Sequence, residues 1–485
     1  MSGRFALLGR PAARIAVIAV LGFMLNLLYS VVVPPWMGPD EPRHVEYVLL
    51  IVEKGRLVTW ADPVPAIEQA IIRSMDQHDF WRFGMVSTGV YQPGTLPARF
   101  DNIWSQGLTH ELHQPPLYYL LQAPMAWLSR GMDVATQVAW LRVVSALLAT
   151  VTIILTWLIA REAFPDWPLL ATAAACFVAL LPMHAFVGGI VNNDVLAEVM
   201  GTLLIYLLVR GLRRGFSWPL LAASLVVIVL GLLTKRTTVF AVPLLALTLL
   251  LPLRWRIRRI TWRAAALVTA LGAGVVWAGS RALDWLAAHS SSLPGPLQSL
   301  VYVYVGFLVR PSDMHAYSAS WRDFMTADAF AYYQRWLRTL FETFWARFGW
   351  ANVRLDDRLY LLLAAISVAA IAGALVVIWN ALRGHGAAPR FQKDAILLFA
   401  GAVVFAMAVL VVKMVREFDS VPRATTQARF LFPVLAPIAI LFVAGLLKLV
   451  PERHHVLLAR AGVVALLALN AVSLLRAIIP FYGLV

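Results

Sequence analysis

The chain has a single cysteine, Cys176, in 485 residues. No intrachain disulfide can form, so any large loop has to be held by packing. Charge is sparse at 14% of residues, and acidic charge sparser still, with 26 Asp and Glu against 41 Lys and Arg. Gly-rich phosphate loops, a Walker lysine and a nucleophile elbow are all missing, which removes the P-loop and α/β-hydrolase readings. Internal repeats and low-complexity tracts are also absent, and no segment reads as a separately folded soluble domain.

What is present is hydrophobic: 60% of residues, with a mean hydropathy of +0.74. Runs of about twenty apolar residues recur along the chain, each long enough to cross a hydrocarbon core of about 30 Å. They are too long and too apolar for barrel strands, so the expected fold is all-α and polytopic. Spans are expected near 14–33, 139–160, 168–187, 195–212, 217–234, 237–253, 264–283, 358–381, 394–413, 429–447 and 456–475, about eleven in all. The first is long and has no small-residue cleavage site, so it reads as an uncleaved anchor. The whole chain, 1–485, reads as one integral membrane domain. A first module, 1–283, contains an outward loop at 35–138. A second part, 284–485, contains another at 284–357 and the C-terminal helices.

Basic residues set the expected orientation. Arg4, Arg10 and Arg14 precede the first span and place the N-terminus in the cytoplasm. Arg161, the Arg210–Arg214 group, the Arg254–Arg263 cluster, Arg383–Lys393 and Lys448–Arg460 then fall on the same side. The apolar segment 115–128 is short and contains Pro124. If it crossed the membrane, every later basic loop would flip, so it reads as a re-entrant or surface helix. The formal charge of +15 points to topology and anionic lipid headgroups rather than nucleic acid. The expected location is a prokaryotic inner (plasma) membrane, with chemistry on the outer, periplasmic face. The outward loops should carry a helix from Pro42 to Lys54, with Val45, Val48, Leu49 and Val52 on one face, and an aromatic interfacial helix from Ala329 to Phe348.

Candidate chemistry lies at the outer edge of the spans. In Pro39-Asp40-Glu41-Pro42-Arg43-His44 the local sequence fits both a helix cap at Asp40 and a catalytic carboxylate, with Glu41 favouring the helix dipole. Asp194, after Asn192-Asn193, starts another span on the same side. Lys235, Arg236 and Arg429 sit at that boundary, where orientation gives no reason for them. They suit a lipid phosphate better than snorkelling. His110-Glu111-Leu112-His113 is a weak metal spacing without a third ligand. His113 reads better as a polar cavity contact, as does His44.

Taken together these places resemble the GT-C superfamily of membrane glycosyltransferases, which includes protein O-mannosyltransferases, the lipid A aminoarabinose transferase and oligosaccharyltransferase. The acidic motif around Asp40 opens the first loop. His113-Gln114-Pro115-Pro116-Leu117 is similar to that group's His/Lys-Pro-Pro-Leu pattern. Arg142-Val143-Val144-Ser145-Ala146 is similar to an Arg-Leu-x-Ser-Ala span start, and Asn193-Asp194 to a second acidic site. Gln427-Ala428-Arg429-Phe430-Leu431-Phe432-Pro433 resembles a Gln-Gly-Arg-Tyr-Leu-x-Pro ending, departing from it at Ala428 and Phe430.

The resemblance implies a polyprenyl-phosphate sugar as donor substrate and a glycan, lipid or protein acceptor. It implies transfer, usually inverting, on the outer face. Asp40 matches the catalytic carboxylate. Asp194 matches a position that helps bind metal or acceptor, which leaves a divalent metal open. Two rivals stand beside this. A polysaccharide polymerase or ligase would use Arg310, His315 and Arg322. A lipid or sugar transporter would need ionisable residues inside spans and two related halves.

Overall fold

The computed structural model describes residues 11–58, 62, 64–83, 111–112, 114–255, 285, 326–417 and 426–484. Among them the chain is almost wholly helical: α1 (Pro11–Val32), α2 (Glu41–Lys54), α3 (Pro65–Gln77), α4 (Leu117–Ser129), α5 (Val134–Ala163), α6 (Pro168–Leu180), α7 (Pro182–Gly188) and α8 (Asp194–Arg214). After α9 (Trp218–Leu232) come α10 (Arg236–Trp255), α11 (Ala327–Trp345), α12 (Asp357–Arg383), α13 (Arg390–Glu417), α14 (Ala428–Lys448) and α15 (Glu452–Phe481). Eight of these are long and apolar enough to cross a membrane, or nine if the bent pair α6–α7 counts as one span. The expected span at 217–234 is the 15-residue α9, shorter than a full crossing. The one expected at 264–283 lies outside the described residues.

The bundle is built on α5, which packs against α1, α6 and α8. The 60° bend between α6 and α7 falls at Leu181-Pro182, where proline cannot continue the backbone ladder. The carbonyl freed there, on Leu180, accepts a hydrogen bond from Asn470 Nδ2 of α15 at 2.7 Å, and Asn470 Oδ1 takes one from Tyr29 Oη of α1 at 3.0 Å. Polar side chains thus close a broken helix where no water would reach in a bilayer.

Small residues set the closest approaches. A Cβ on Gly201 of α8 would collide with the Pro433 carbonyl of α14, so glycine lets the first turns of α14 lie directly on α8. At the opposite end of the bundle from that contact, Glu162 accepts from Arg214 Nε at 2.8 Å and Asp394 from Arg254 Nε at 2.9 Å. Two acids that lie among the basic loops are therefore paired there.

Segment 115–128 forms α4, a 13-residue helix of roughly 20 Å by the 1.5 Å rise per residue, too short to cross. The helix expected over Ala329–Phe348 stops at Trp345, and Phe348 instead enters a two-strand hairpin, β1 (Arg347–Phe348) with β2 (Val353–Arg354). The turn is held by Glu342, which pairs with Arg338, Arg347 and Arg354. Tyr332, Trp336 and Trp345 of α11 are buried in the protein, while Phe330 and Leu337 stay exposed. Only part of the aromatic stripe is available to an interface.

Candidate functional site

The loop from Val33 to Asp40 is tightly wound. Trp36 and Asp40 both have positive φ, 75° and 64°, a conformation that is unusual for an aromatic and tolerated by Asp. Glu41 fixes this shape. Its carboxylate is fully buried and accepts from Trp36 N at 3.0 Å, Val191 N at 2.9 Å, Arg142 Nε at 2.8 Å and Arg142 Nη2 at 2.7 Å. Arg142 spends its remaining donors on the carbonyls of Ser30, Val33 and Pro34. One buried ion pair thus ties the end of α1, the loop, α2, α5 and the turn before α8. Glu41 does begin α2, but its charge serves this clamp rather than the helix dipole alone.

With the loop held this way, Asp40 is pushed forward. The cap reading fails for it. Asp40 occupies the N-cap position of α2, yet its side chain makes no capping hydrogen bond. Instead Oδ2 accepts from Arg429 Nη2 at 2.6 Å, and the side chain keeps 30% of its surface exposed. Arg429 comes from the first turn of α14, the turn that Gly201 admits to α8. Its Nη1 lies 3.4 Å from both the Pro39 carbonyl and Asp194 Oδ2. Its Nε is buried without a hydrogen-bond partner.

Asp194 opens α8 and is fully buried. Its backbone N–H donates to Asn192 Oδ1 at 2.9 Å, and so Asn192 supplies the local turn contact. Asp194 Oδ1 accepts from Lys235 Nζ at 2.6 Å, and the same ammonium donates to Asn193 Oδ1 at 2.8 Å. Lys235 and Arg429 both lie over the Phe430 ring, at 4.8 and 5.2 Å from its centroid, an orientation favourable to cations. Asp40, Arg429, Asp194 and Lys235 therefore form one alternating chain of charge. It is assembled where α1 ends, α8 starts, α9 ends and α14 starts.

Burial opposes ionisation at Asp40, but Arg429, aided by His44 and Arg43, holds its carboxyl below the ordinary range. Burial pushes Lys235 down, and Asp194 pulls it partly back. Burial also takes His44 down to about 4, against the pull of Glu111 and Asp40. His44 Nδ1 is 2.9 Å from Tyr119 Oη, whose ring stacks on Tyr47. Arg236, next to Lys235, begins α10. His113, Arg310, His315 and Arg322 lie outside the described residues.

Three site residues escaped the sequence reading. Arg142 entered it only as part of a motif. Glu111, buried and acting electrostatically on His44 and Lys235, was passed over with its weak His-x-x-His frame. Gln114, whose Oε1 accepts from Asn193 Nδ2 at 3.4 Å, likewise entered it only inside the His113–Leu117 motif. The donor set does not suit a divalent metal. A guanidinium stands between Asp40 and Asp194, and the described residues hold no group of three or more His, Cys, Asp or Glu able to bind one.

Comparison with known proteins gives a family and a distant likeness. An oligosaccharyltransferase from Archaeoglobus fulgidus, solved in the apo form, is similar in structure, with a TM-score of 0.46 and 14% identity. The likeness covers 96% of this chain and 55% of that one, so this chain spans little more than half its length. No curated protein matches the sequence. A family model matches residues 23–438, most of the chain, which therefore belongs to the family described as predicted membrane protein (DUF2142).

Proposed function

We propose that this protein is a membrane glycosyltransferase that moves a sugar from a polyprenyl-phosphate carrier to an acceptor hydroxyl on the outer face of a prokaryotic inner membrane. One observation carries the reading: a partly exposed carboxylate, Asp40, stands at the end of a buried chain of ion pairs containing two cations of phosphate-binding type. The motif resemblance to GT-C enzymes around Asp40 and Asp194 supports it independently.

In this mechanism Asp40 takes the proton of the acceptor hydroxyl as its oxygen attacks the anomeric carbon. The bond from that carbon to the phosphate oxygen breaks, and the phosphate keeps the electron pair. A single displacement inverts the centre. The leaving group is already a good anion and needs charge stabilisation more than protonation. At 4 Å the attraction of unit charges is about 1 kcal/mol in water and about 4 kcal/mol at an effective dielectric of 20. Two cations in a buried site are therefore well placed for this task. Asp194 holds Lys235 in position and faces Arg429. His44 and Tyr119 are polar groups beside the reacting centre. No step is assigned to a metal.

The test is release of free lipid phosphate, with appearance of glycosylated acceptor, when the purified protein in lipid vesicles meets polyprenyl-phosphate sugars. A transporter would move the lipid and leave it intact, and that result would overturn the reading. A second expected outcome concerns Gly201. Gly201→Val removes no charged group but forces the first turn of α14 off α8, and with it Arg429. Transfer should fall at least about tenfold, the size of effect that a 1 Å displacement of catalytic groups readily produces. Undiminished transfer by this variant would show that the contact with Pro433 does not position Arg429.

A further inference from the structure

The four charges of the ion-pair chain cancel, with Glu111 acting on it from outside and Lys413 a third cation over the Phe430 ring at 5.3 Å. Asp40 and Asp194 are matched by Arg429 and Lys235. A bound phosphate group adds at least one negative charge, which a buried site has to meet with a cation. Lys235 and Arg429 each already serve an acid, and they serve differently. Lys235 is fixed by Asp194 and Asn193 at 2.6 and 2.8 Å. Arg429 is divided: Nη2 on Asp40, Nη1 at 3.4 Å from two acceptors, Nε buried and unpartnered. The two acids differ as well. Asp194 is fully buried and keeps Lys235 whatever Arg429 does, whereas Asp40 is 30% exposed.

We infer that Arg429 is a shared cation: the donor's phosphate takes its guanidinium from Asp40, so the carboxylate is released as a base only when donor is bound. The inference rests on the proposed function and adds an order of events to it. The planar fork of Arg429 suits a phosphate's paired oxygens, and its orphan Nε–H gains an acceptor in the exchange.

Two consequences follow for protons. The groups facing Asp40 are Arg429 from α14 and His44 and Arg43 from its own helix, with Asp194, Lys235 and Glu111 beyond them. In the ligand-free protein Arg429 holds the Asp40 carboxyl down. Once that guanidinium turns to phosphate, burial and the phosphate's own charge both push the carboxyl up. Its bound-state value then exceeds its free-state value. Binding takes up protons, and affinity rises as pH falls. Base strength also moves toward the range in which a general base works best.

A sugarless probe tests this. A short isoprenyl methyl phosphodiester has one acidic group, ionised throughout the pH range of about 4.5 to 7 over which a shifted carboxyl titrates. Its binding to the full chain in detergent is measured by calorimetry in buffers of different ionisation enthalpy. Proton uptake by the wild type, growing as pH falls, is expected. The Asp40→Asn variant should bind at least about tenfold tighter and with clearly less uptake, what remains coming from His44, because the anion competing for Arg429 is gone. Proton-neutral binding by the wild type, or unchanged or weaker binding by Asp40→Asn, overturns the exchange while leaving the phosphate site intact. Failure of both proteins to bind defeats the phosphate reading itself, and the exchange with it.

Discussion

Replacing Asp40 with Asn will reduce sugar transfer by about 10²–10⁴-fold, the usual contribution of a positioned general base, and leave the protein folded. The physical case is that Arg429 keeps Asp194 at 3.4 Å when Asp40 loses its charge, and that Asp40 itself is 30% exposed. Asp40 makes no capping bond, and its position is dictated by a loop that Glu41 holds. Asn tolerates the positive φ at this position about as well as Asp, whereas most other residues would add strain. The variant also keeps side-chain volume, so the change is confined to charge and basicity. The measurement is kcat for release of lipid phosphate, alongside thermal unfolding in detergent. Full activity in a folded Asp40→Asn protein would remove Asp40 from the chemistry. Paired with the expected gain in donor affinity, the result would separate binding from catalysis at one residue: tighter for the donor, slower in the transfer.

Glu41→Gln, one residue further on, should behave in the opposite way. Expected is a loss of about 3–5 kcal/mol of stability, as when one partner of a buried ion pair is removed and the other is left uncompensated. Arg142 is only 2% exposed and would keep its charge with no carboxylate to meet it. Trp36 N and Val191 N would compete for a single amide oxygen in place of a carboxylate. Replacing both members with Met should recover only part of the loss. Apolar substitution often repairs a buried pair, but here the carbonyls of Ser30, Val33 and Pro34 would lose the Arg142 donors. Thermal unfolding of the single and double variants checks this. If Glu41→Gln melted with the wild type, the clamp would not be what holds the loop.

These two neighbours show how far the residues could be read in advance. That Asp40-Glu41 is an acidic pair after the first span is plain from the chain, and so is the presence of acids and cations at other helix ends. Their division of labour is not. Asp and Glu at adjacent positions carry the same charge and the same local preference for a helix start. Which of them turns inward depends on Arg142, 101 residues away, and on the backbone of Val191. The cations were legible as unexplained charges at a boundary. That Arg429 sits between two carboxylates, and Lys235 against one of them, could not be inferred from spacing, because salt-bridge partners from different helices have no sequence period. Asp40 read equally well as a cap until its side chain was seen to turn away from the helix and toward Arg429.

By itself, the sequence determined that this is a helical membrane protein, roughly where its helices run, and which of their ends carry charge. Hydrophobic length and the cost of unpaired backbone in lipid leave few alternatives, and both can be read along the chain. Only the tertiary structure decided which helix ends meet. Glycine at 201 lets α14 approach α8, the break at Leu181-Pro182 is closed by Asn470, and the Glu41–Arg142 clamp sets the loop. Those contacts bring four charges spread over residues 40 to 429 into one chain of ion pairs, because in a buried setting each charge is stable only beside its opposite.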